Sequence, residues 1–533
     1  MTTHRYKGFL IFPRLVLIAT FLSACALPIP TSSLPLSITP TVTSTDLIAS
    51  PSPSSTSYLA PSPSLPTDSL TASSALPTST TTPTVSFTPT STRSVSPASL
   101  SSSTHYTLTL QLDYAAHFLS VNEQIVYTNP TTYTLTDLVF VVEPNRQKGN
   151  FQLIQLAWED GSEIKDYVLE NNLLRISLPN PLIPSTKIAM TISYELTLPA
   201  IPGPSETDRP IPYGYTAHQA NLVDWYPFLP PYRPSQGWLV HDPGYFGEHL
   251  VYDVADYDVD ISLVKTDPTL VIAASSLPQK KEGGYHYQLE LARSFAFSIS
   301  PDYHVFSDTV GTVTVLSYAF PFTLEAGKAA LENTVDALTL YSRLFGPYPH
   351  NSLSVVEADF LDGMEYDGLY FLSRGFYNLY DGSPQGYLTI IAVHETAHQW
   401  WYGLVGNDQA REPWLDEALC TYSEKLFYEN TYPRLVDWWW YFRVNYYRPT
   451  GWVNSPIYTY NGFRPYVNAV YLRGALFLED LRKELGDQVF FTFLRDYITQ
   501  KSHQLATTQD FFAILKEHTS KDIEGLLKEY FQP

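Results

Sequence analysis

The sequence predicts an α+β protein in which an antiparallel β domain precedes a mainly helical domain, both behind a segment that does not fold. Three observations carry this. Between about residues 105 and 310, short runs alternate apolar with polar residues and are broken by Asn-Pro and Pro-rich turns, the pattern of half-buried strands. From about residue 311 strands give way to longer runs with apolar residues at helical spacing, the order expected of an α+β chain. Before residue 105 neither period is found, and the composition is that of a chain without a core.

Residues 1–25 read as an export signal. His4, Arg5, Lys7 and Arg14 supply a positive start, and the apolar run Leu15 to Leu22 is too short to span a bilayer comfortably. The run ends in Leu22-Ser23-Ala24-Cys25, which resembles the lipobox of bacterial lipoproteins. That resemblance implies that Cys25 becomes the acylated first residue, holding the protein on the outer face of a membrane. An ordinary cleaved signal, and so a secreted protein, or an uncleaved anchor is the other reading. The chain has one further cysteine, Cys420, so acylation of Cys25 leaves no intrachain disulfide, and Cys420 is expected to be a small buried residue.

Residues 26–104 are almost wholly Ser, Thr, Pro and small apolar residues, with Asp46, Asp68 and Arg93 as the only charges and no glycine. Such a segment cannot bury enough apolar surface to repay the entropy of ordering, and its prolines keep it extended. It is a stalk with a reach of at most about 240 Å at the polyproline rise.

The folded part starts near His105. Tyr106 to Asp113 and Phe118 to Asn129 alternate clearly, and further strands are expected at 138–142, 173–178, 188–196, 254–263 and 287–291. Beyond the boundary near 311, strands at 313–318 and 353–359 lead into helices beginning around Thr323, Gly386, Glu412 and Val467. Residues 487–531 read as short amphipathic helices.

Two of these helices carry the chemistry. In His394-Glu395-Thr396-Ala397-His398 the histidines stand one turn apart, so both imidazoles can reach one ion, with Glu395 near it and not a ligand. Eighteen residues separate His398 from Glu417, which opens a helix of its own in Trp414-Leu415-Asp416-Glu417 and offers a third ligand. Two histidines and a carboxylate leave a fourth position of a zinc ion to water, whose pKa falls to about 7. One Zn2+ per chain is the expected cofactor, and Glu395 the base.

This motif and its tryptophan-rich setting resemble the thermolysin-like zinc peptidases of the aminopeptidase N and leukotriene hydrolase family. Two further segments carry the resemblance. Asp362-Gly363-Met364-Glu365-Tyr366 is similar to the family's Gly-x-Met-Glu-Asn strand, which implies that Gly363, Met364 and Glu365 bind substrate and that Glu365 holds its free amino group. Asp362 and Tyr366 depart from the pattern and leave the first-residue pocket open in shape. Tyr471-Leu472-Arg473-Gly474 is similar to the family's Tyr-x-Lys-Gly segment, implying that Tyr471 donates to the oxyanion; it lies fifty-four residues after Glu417, with Tyr466 the nearest competitor among 39 tyrosines. Glu424, seven residues after Glu417, either orients a ligand histidine or is an exposed helix glutamate.

The resemblance covers residues 105–533. It implies an amino-terminal antiparallel β-sandwich or saddle domain over 105–310 and a thermolysin-like, mainly helical catalytic domain over 311–533. It also implies that the aromatic loop Asp224 to Tyr232 approaches the cleft, although a packed loop fits equally. The long carboxy-terminal helical domain of many relatives is not found in these residues, so the cleft is expected to be more open or covered by another subunit. The activity implied is removal of amino-terminal residues from peptides outside the cytoplasm. An endopeptidase or non-peptide hydrolase with the same centre, or an inactive surface binding protein, is the alternative.

Composition is consistent with this and excludes one class of partner. A net charge of -21 argues against nucleic acid, which needs a basic surface. The chain is 14% aromatic, and Trp438 to Tyr460 is its densest stretch. A carbohydrate or membrane surface is one reading of that stretch; packing between helices, with a lining for apolar substrate side chains, is the other.

Overall fold

The computed structural model describes residues 102–203, 210–265 and 267–533. The export signal, Cys25 and all but the end of the stalk lie outside the described residues.

The alternating segments form a seven-stranded sheet in the spatial order Gln279–Lys281, Gly284–Ala292, Ala255–Leu263, Thr104–Asp113, Phe118–Thr128, Lys187–Thr197, Phe151–Trp158. Along Thr104–Asp113 the residues Tyr106, Leu108, Leu110 and Leu112 all face inward, as a period of two requires. Every pairing in this sheet is antiparallel except that of Thr104–Asp113 with Ala255–Leu263, which is parallel with Thr104 opposite Ala255. Strand patterning carries no direction, so the sequence could not show that pair. A second sheet of Leu135–Val141, Leu173–Leu182 and Tyr167–Glu170 lays Leu138, Phe140, Leu174 and Ile176 on Leu108, Ile125 and Ile192, which makes a sandwich. The aromatic loop is packed into this core: Trp225 donates from Nε1 to the Phe295 carbonyl (3.1 Å) and Tyr226 from its hydroxyl to Tyr257 (3.0 Å).

A five-stranded sheet opens the second part, ordered His304–Val310, Val313–Ala319, Ser352–Ala358, Leu369–Ser373, Gly363–Tyr366. The first of these was assigned by sequence to the β domain. It pairs along its length with Val313–Ala319, His304 opposite Ala319, and so joins the second sheet. A hairpin's membership depends on which sheet its second strand joins, and only folding reveals that.

Behind this sheet lie helices Leu324–Phe345, Tyr387–Ala397 and Trp414–Thr431. A longer helical run follows, Phe463–Val467, Asn468–Leu472 and Arg473–Leu485, with a wider π turn in its middle segment. The expected starts at Thr323 and Gly386 are the residues flanking two of these helices. Gly474 lets the last run approach Trp414–Thr431 closely, since a Cβ there would stand 2.3 Å from Ala418 Cβ. Asp487–Lys501, Thr508–His518 and Glu524–Tyr530 close the chain as the expected short helices. Trp400, Trp414 and Trp439 are fully buried in the shared core, whereas Tyr441 and Tyr446 are exposed, so the aromatic stretch both packs and faces solvent.

Candidate active site

Helix Tyr387–Ala397 is buried from Leu388 onward, so its two histidines face protein and not solvent. Their rings lie 4.9 Å apart between centroids. Helix Trp414–Thr431 brings Glu417 Oε2 to 3.2 Å from His394 Nε2 and 3.6 Å from His398 Nε2. The opposite ring nitrogens are occupied: His394 Nδ1 lies 2.8 Å from Glu424 Oε1 and His398 Nδ1 3.3 Å from the Trp401 carbonyl. An Nδ1 proton given to those acceptors leaves both Nε2 lone pairs turned toward Glu417. Burial, then the neighbouring His394, draws the His398 pKa well down, which keeps it in the neutral form a ligand needs. Two imidazole nitrogens and one carboxylate oxygen converging in this way fit a zinc ion with an open fourth position.

Glu424 is fully buried and is no surface glutamate. Besides His394 it accepts from Arg443 Nε and Nη2 (both 2.9 Å) and from Trp439 Nε1 (3.1 Å). Burial raises its pKa, yet Arg443 and His394 outweigh burial and hold it below the usual carboxylate range. A carboxylate so fixed orients the His394 ring.

Glu395 is buried, with Oε2 lacking a partner, and its Oε1 occupies the space that a side chain at residue 363 would take. A Cβ at Gly363 would stand 2.1 Å from Glu395 Oε1. Gly363 therefore serves the base, and it opens the edge strand Gly363–Tyr366. Within that strand Glu365 faces the site: its Oε1 accepts from Gln409 Nε2 (3.1 Å) and lies 4.0 Å from His398 Nδ1. Donor atoms of Glu365, Glu395 and His398 all fall within 4.8 Å of one another.

Met364 departs from the expectation. With Tyr366 it packs into a separate apolar cluster of Val356, Phe360 and Phe371, because alternate strand residues face opposite ways. Only its backbone can line the site. Asp362 takes φ +68°, a left-handed conformation that glycine adopts freely and aspartate tolerates better than most residues. That is a physical reason for glycine at this position in the family pattern.

Tyr471 sits in the π turn, its ring stacked on His394 at 6.0 Å with an interplanar angle of 5°, and its hydroxyl hydrogen-bonded to Glu417. Burial and then the charge of Glu417 push its pKa well up, so it stays a donor. The competing Tyr466 is buried with an unpartnered hydroxyl set against Gly247.

Glu248 was missed by sequence reasoning. It belongs to the irregular segment 239–254 of the β part and hydrogen-bonds Glu417. No motif marks it, since Gly247-Glu248-His249 has no spacing tied to the helical residues. Burial first, and then the charge of Glu248, raise the pKa values of Glu365, Asp416 (to about 8) and Glu417. So many carboxyl groups in one buried site call for positive charge, which a divalent ion and a substrate ammonium would supply. Cys420 lies under the site, buried as expected, its Sγ within 4.8 Å of the ligand nitrogens of His394 and His398; burial pushes its thiol pKa up.

Part of the chain is similar to known zinc peptidases in sequence, and more of it in fold. Residues 329–530 match the Peptidase family M1 domain. Aminopeptidase M1-D of Oryza sativa subsp. japonica is 28% identical over 217 residues, 38% of this chain and 25% of that protein. Endoplasmic reticulum aminopeptidase 2 of Homo sapiens is 28% identical over 273 residues, 46% of this chain and 28% of its own length. The chain thus spans about a quarter of the length of such relatives. Among solved structures, an M1 zinc metallopeptidase from Deinococcus radiodurans superposes with a TM-score of 0.57 at 19% identity, covering 80% of this chain and 94% of that one. A mutant of that enzyme, bound to a Tyr-Ser-Ala substrate, aligns equally well. The two-domain fold is shared.

Proposed function

We propose that this chain, whose residues 329–530 match the Peptidase family M1 domain, is a zinc-dependent aminopeptidase that removes amino-terminal residues from peptides outside the cytoplasm. The observation that carries it is the distance set around Glu417 combined with Glu365. His394, His398 and Glu417 would hold the ion, and Glu365 stands on an edge strand within reach of the same centre. When bound, zinc supplies Lewis-acid activation of a water molecule and of the scissile carbonyl. Glu395 takes a proton from the attacking water and returns it to the leaving amine. Tyr471 turns its hydroxyl from Glu417 to the developing oxyanion, where one such donor is worth about 3 kcal/mol. Glu365 binds the peptide's terminal ammonium at a fixed distance from the ion, so that only the first peptide bond is placed for cleavage.

Location is the second element of the proposal. The lipobox-like Cys25 and the Ser/Thr/Pro stalk support a catalytic body tethered to the outer face of a membrane by lipid. Among the described residues no helix is long and apolar enough to cross a membrane. Replacing Cys25 by Ser is expected to abolish acyl labelling and release the protein from membrane fractions; continued labelling and retention would refute the anchor.

The activity is tested with zinc-loaded protein on aminoacyl anilides and on peptide pairs that are free or N-acetylated. Turnover of free amines, lost on acetylation and on chelation, is expected. Equal cleavage of the acetylated peptide would make the enzyme an endopeptidase.

A further inference from the structure

Arg293 directly follows strand Gly284–Ala292, on the seam between the two folded parts, and is fully buried. Its guanidinium spends its donors on main-chain carbonyls alone. Nε donates to Tyr402 (2.6 Å) and Gly403 (3.1 Å), Nη1 to Tyr252 (3.0 Å) and Nη2 to Gln504 (3.0 Å). Its own main-chain N–H donates to Asp367 Oδ2 at 2.6 Å.

All of these partners but Gln504, whose strand Gln504–Leu505 pairs with Val405–Gly406, belong to a segment that carries a residue of the site. The helix holding His394 and His398 breaks after His398, where Trp401 and Tyr402 leave helical dihedrals. Carbonyls beyond the break have no partner within the helix. The Trp401 carbonyl turns to His398 Nδ1, and those of Tyr402 and Gly403 turn to Arg293. Asp367 lies two residues after Glu365, in the turn that joins its strand to Leu369–Ser373. Tyr252 lies four residues after Glu248 in the same irregular segment. The sequence makes room for this junction with two glycines. A Cβ at Gly406 would stand 2.4 Å from Arg293 Cζ, and one at Gly403 would stand 2.7 Å from Asp367 Oδ1.

A planar fork of donors is what this junction needs, and a lysine ammonium has neither the span nor the planarity to reach the same carbonyls together. A buried ion is a weak source of stability compared with a well-packed apolar side chain, so its value lies in geometry. We infer that Arg293 is a positioning residue: its guanidinium sets the separation of the metal-binding turn and the Glu248 segment, while its main-chain N–H ties in the turn that follows the Glu365 strand. This rests on the aminopeptidase reading for its kinetic consequence, but not for its effect on metal binding.

The test compares the full chain with Arg293→Lys and with a seam control, Ser354→Ala. Ser354 Oγ donates to the Ala274 carbonyl (3.1 Å) across the same seam, a bond that involves neither Arg293 nor a residue of the site. Thermal melts establish that each variant folds. Arg293→Lys is expected to bind zinc about tenfold more weakly in chelator competition, as loss of an outer-sphere support does, and to shift the visible absorption of the cobalt-substituted protein. It is expected to lose about 100-fold in kcat/KM on an aminoacyl anilide, with KM rising as well as kcat falling. Ser354→Ala should change none of these. Wild-type metal affinity and cobalt spectrum in a folded Arg293→Lys protein would overturn the inference, as would equal effects of Ser354→Ala. If Arg293→Lys does not fold, Gly406→Ala displaces the guanidinium from the other side and must produce the same paired effects. A wild-type protein inert toward anilides would refute the proposed function, while metal affinity and the cobalt spectrum would still decide on Arg293.

Discussion

In the proposed reaction Glu395 and Tyr471 act on the reacting atoms, and their surroundings predict distinct losses. Glu395 has one oxygen without a partner and the other against Gly363, so it is poised for a proton and not tied into a structural network. Glu395→Gln keeps shape and ligands; kcat is expected to fall about a thousandfold with zinc stoichiometry unchanged, read by anilide turnover beside metal analysis. Tyr471→Phe removes one donor and preserves the stack on His394, so about a 100-fold drop in kcat is expected with KM nearly constant. Tyr466→Phe removes a hydroxyl that has no partner and should cost far less. A Tyr466→Phe loss as large as that of Tyr471→Phe would reassign the oxyanion donor.

Elements hold these residues in place through close helix contact and a charge cluster. Gly474 abuts Ala418 where the run Arg473–Leu485 meets helix Trp414–Thr431, one residue beyond Glu417. Gly474→Ala overpacks that contact and is expected to destabilise by about 1–3 kcal/mol, seen as a lower denaturation midpoint. The same pair of helices is joined by Glu429, which accepts from Arg482 Nη1 (2.7 Å), Arg482 Nη2 (2.9 Å) and Lys425 Nζ (2.5 Å). Burial raises its pKa, but Arg482 and Lys425 prevail and bring it to about 2, below its ordinary 4.5. A carboxylate with a depressed folded pKa stabilises above its unfolded value and loses that stability as pH falls. The gap in melting temperature between wild type and Glu429→Gln should therefore be constant above pH 4.5 and close between about pH 4.5 and 2. A gap that persists at pH 2 would remove Glu429 from the acid response.

At the scale of the whole molecule, metal and fold are coupled. The three expected ligands lie on two helices of the largest core, so zinc at a hundred times its dissociation constant should add about 2.7 kcal/mol to stability. Chelation should lower the melting temperature, and an unchanged melt would mean that the ion does not bridge these helices. How far all this was legible follows from the reach of local chemistry. His394, His398 and Glu417 could be read from the chain because helical periodicity converts spacing directly into direction, and the strands because alternation marks a buried face. Other features required the chain to fold back on itself. Met364 turned away from the site because the pleat, and not the motif, chooses the face. The strand His304–Val310 joined the second sheet, and Glu424 proved to be buried against Arg443. From the β part, Glu248 reaches Glu417 and Arg293 the turn that follows His398, at sequence distances of 169 and 105 residues. No local pattern encodes such approaches, because they depend on how two cores pack and not on the period of either segment.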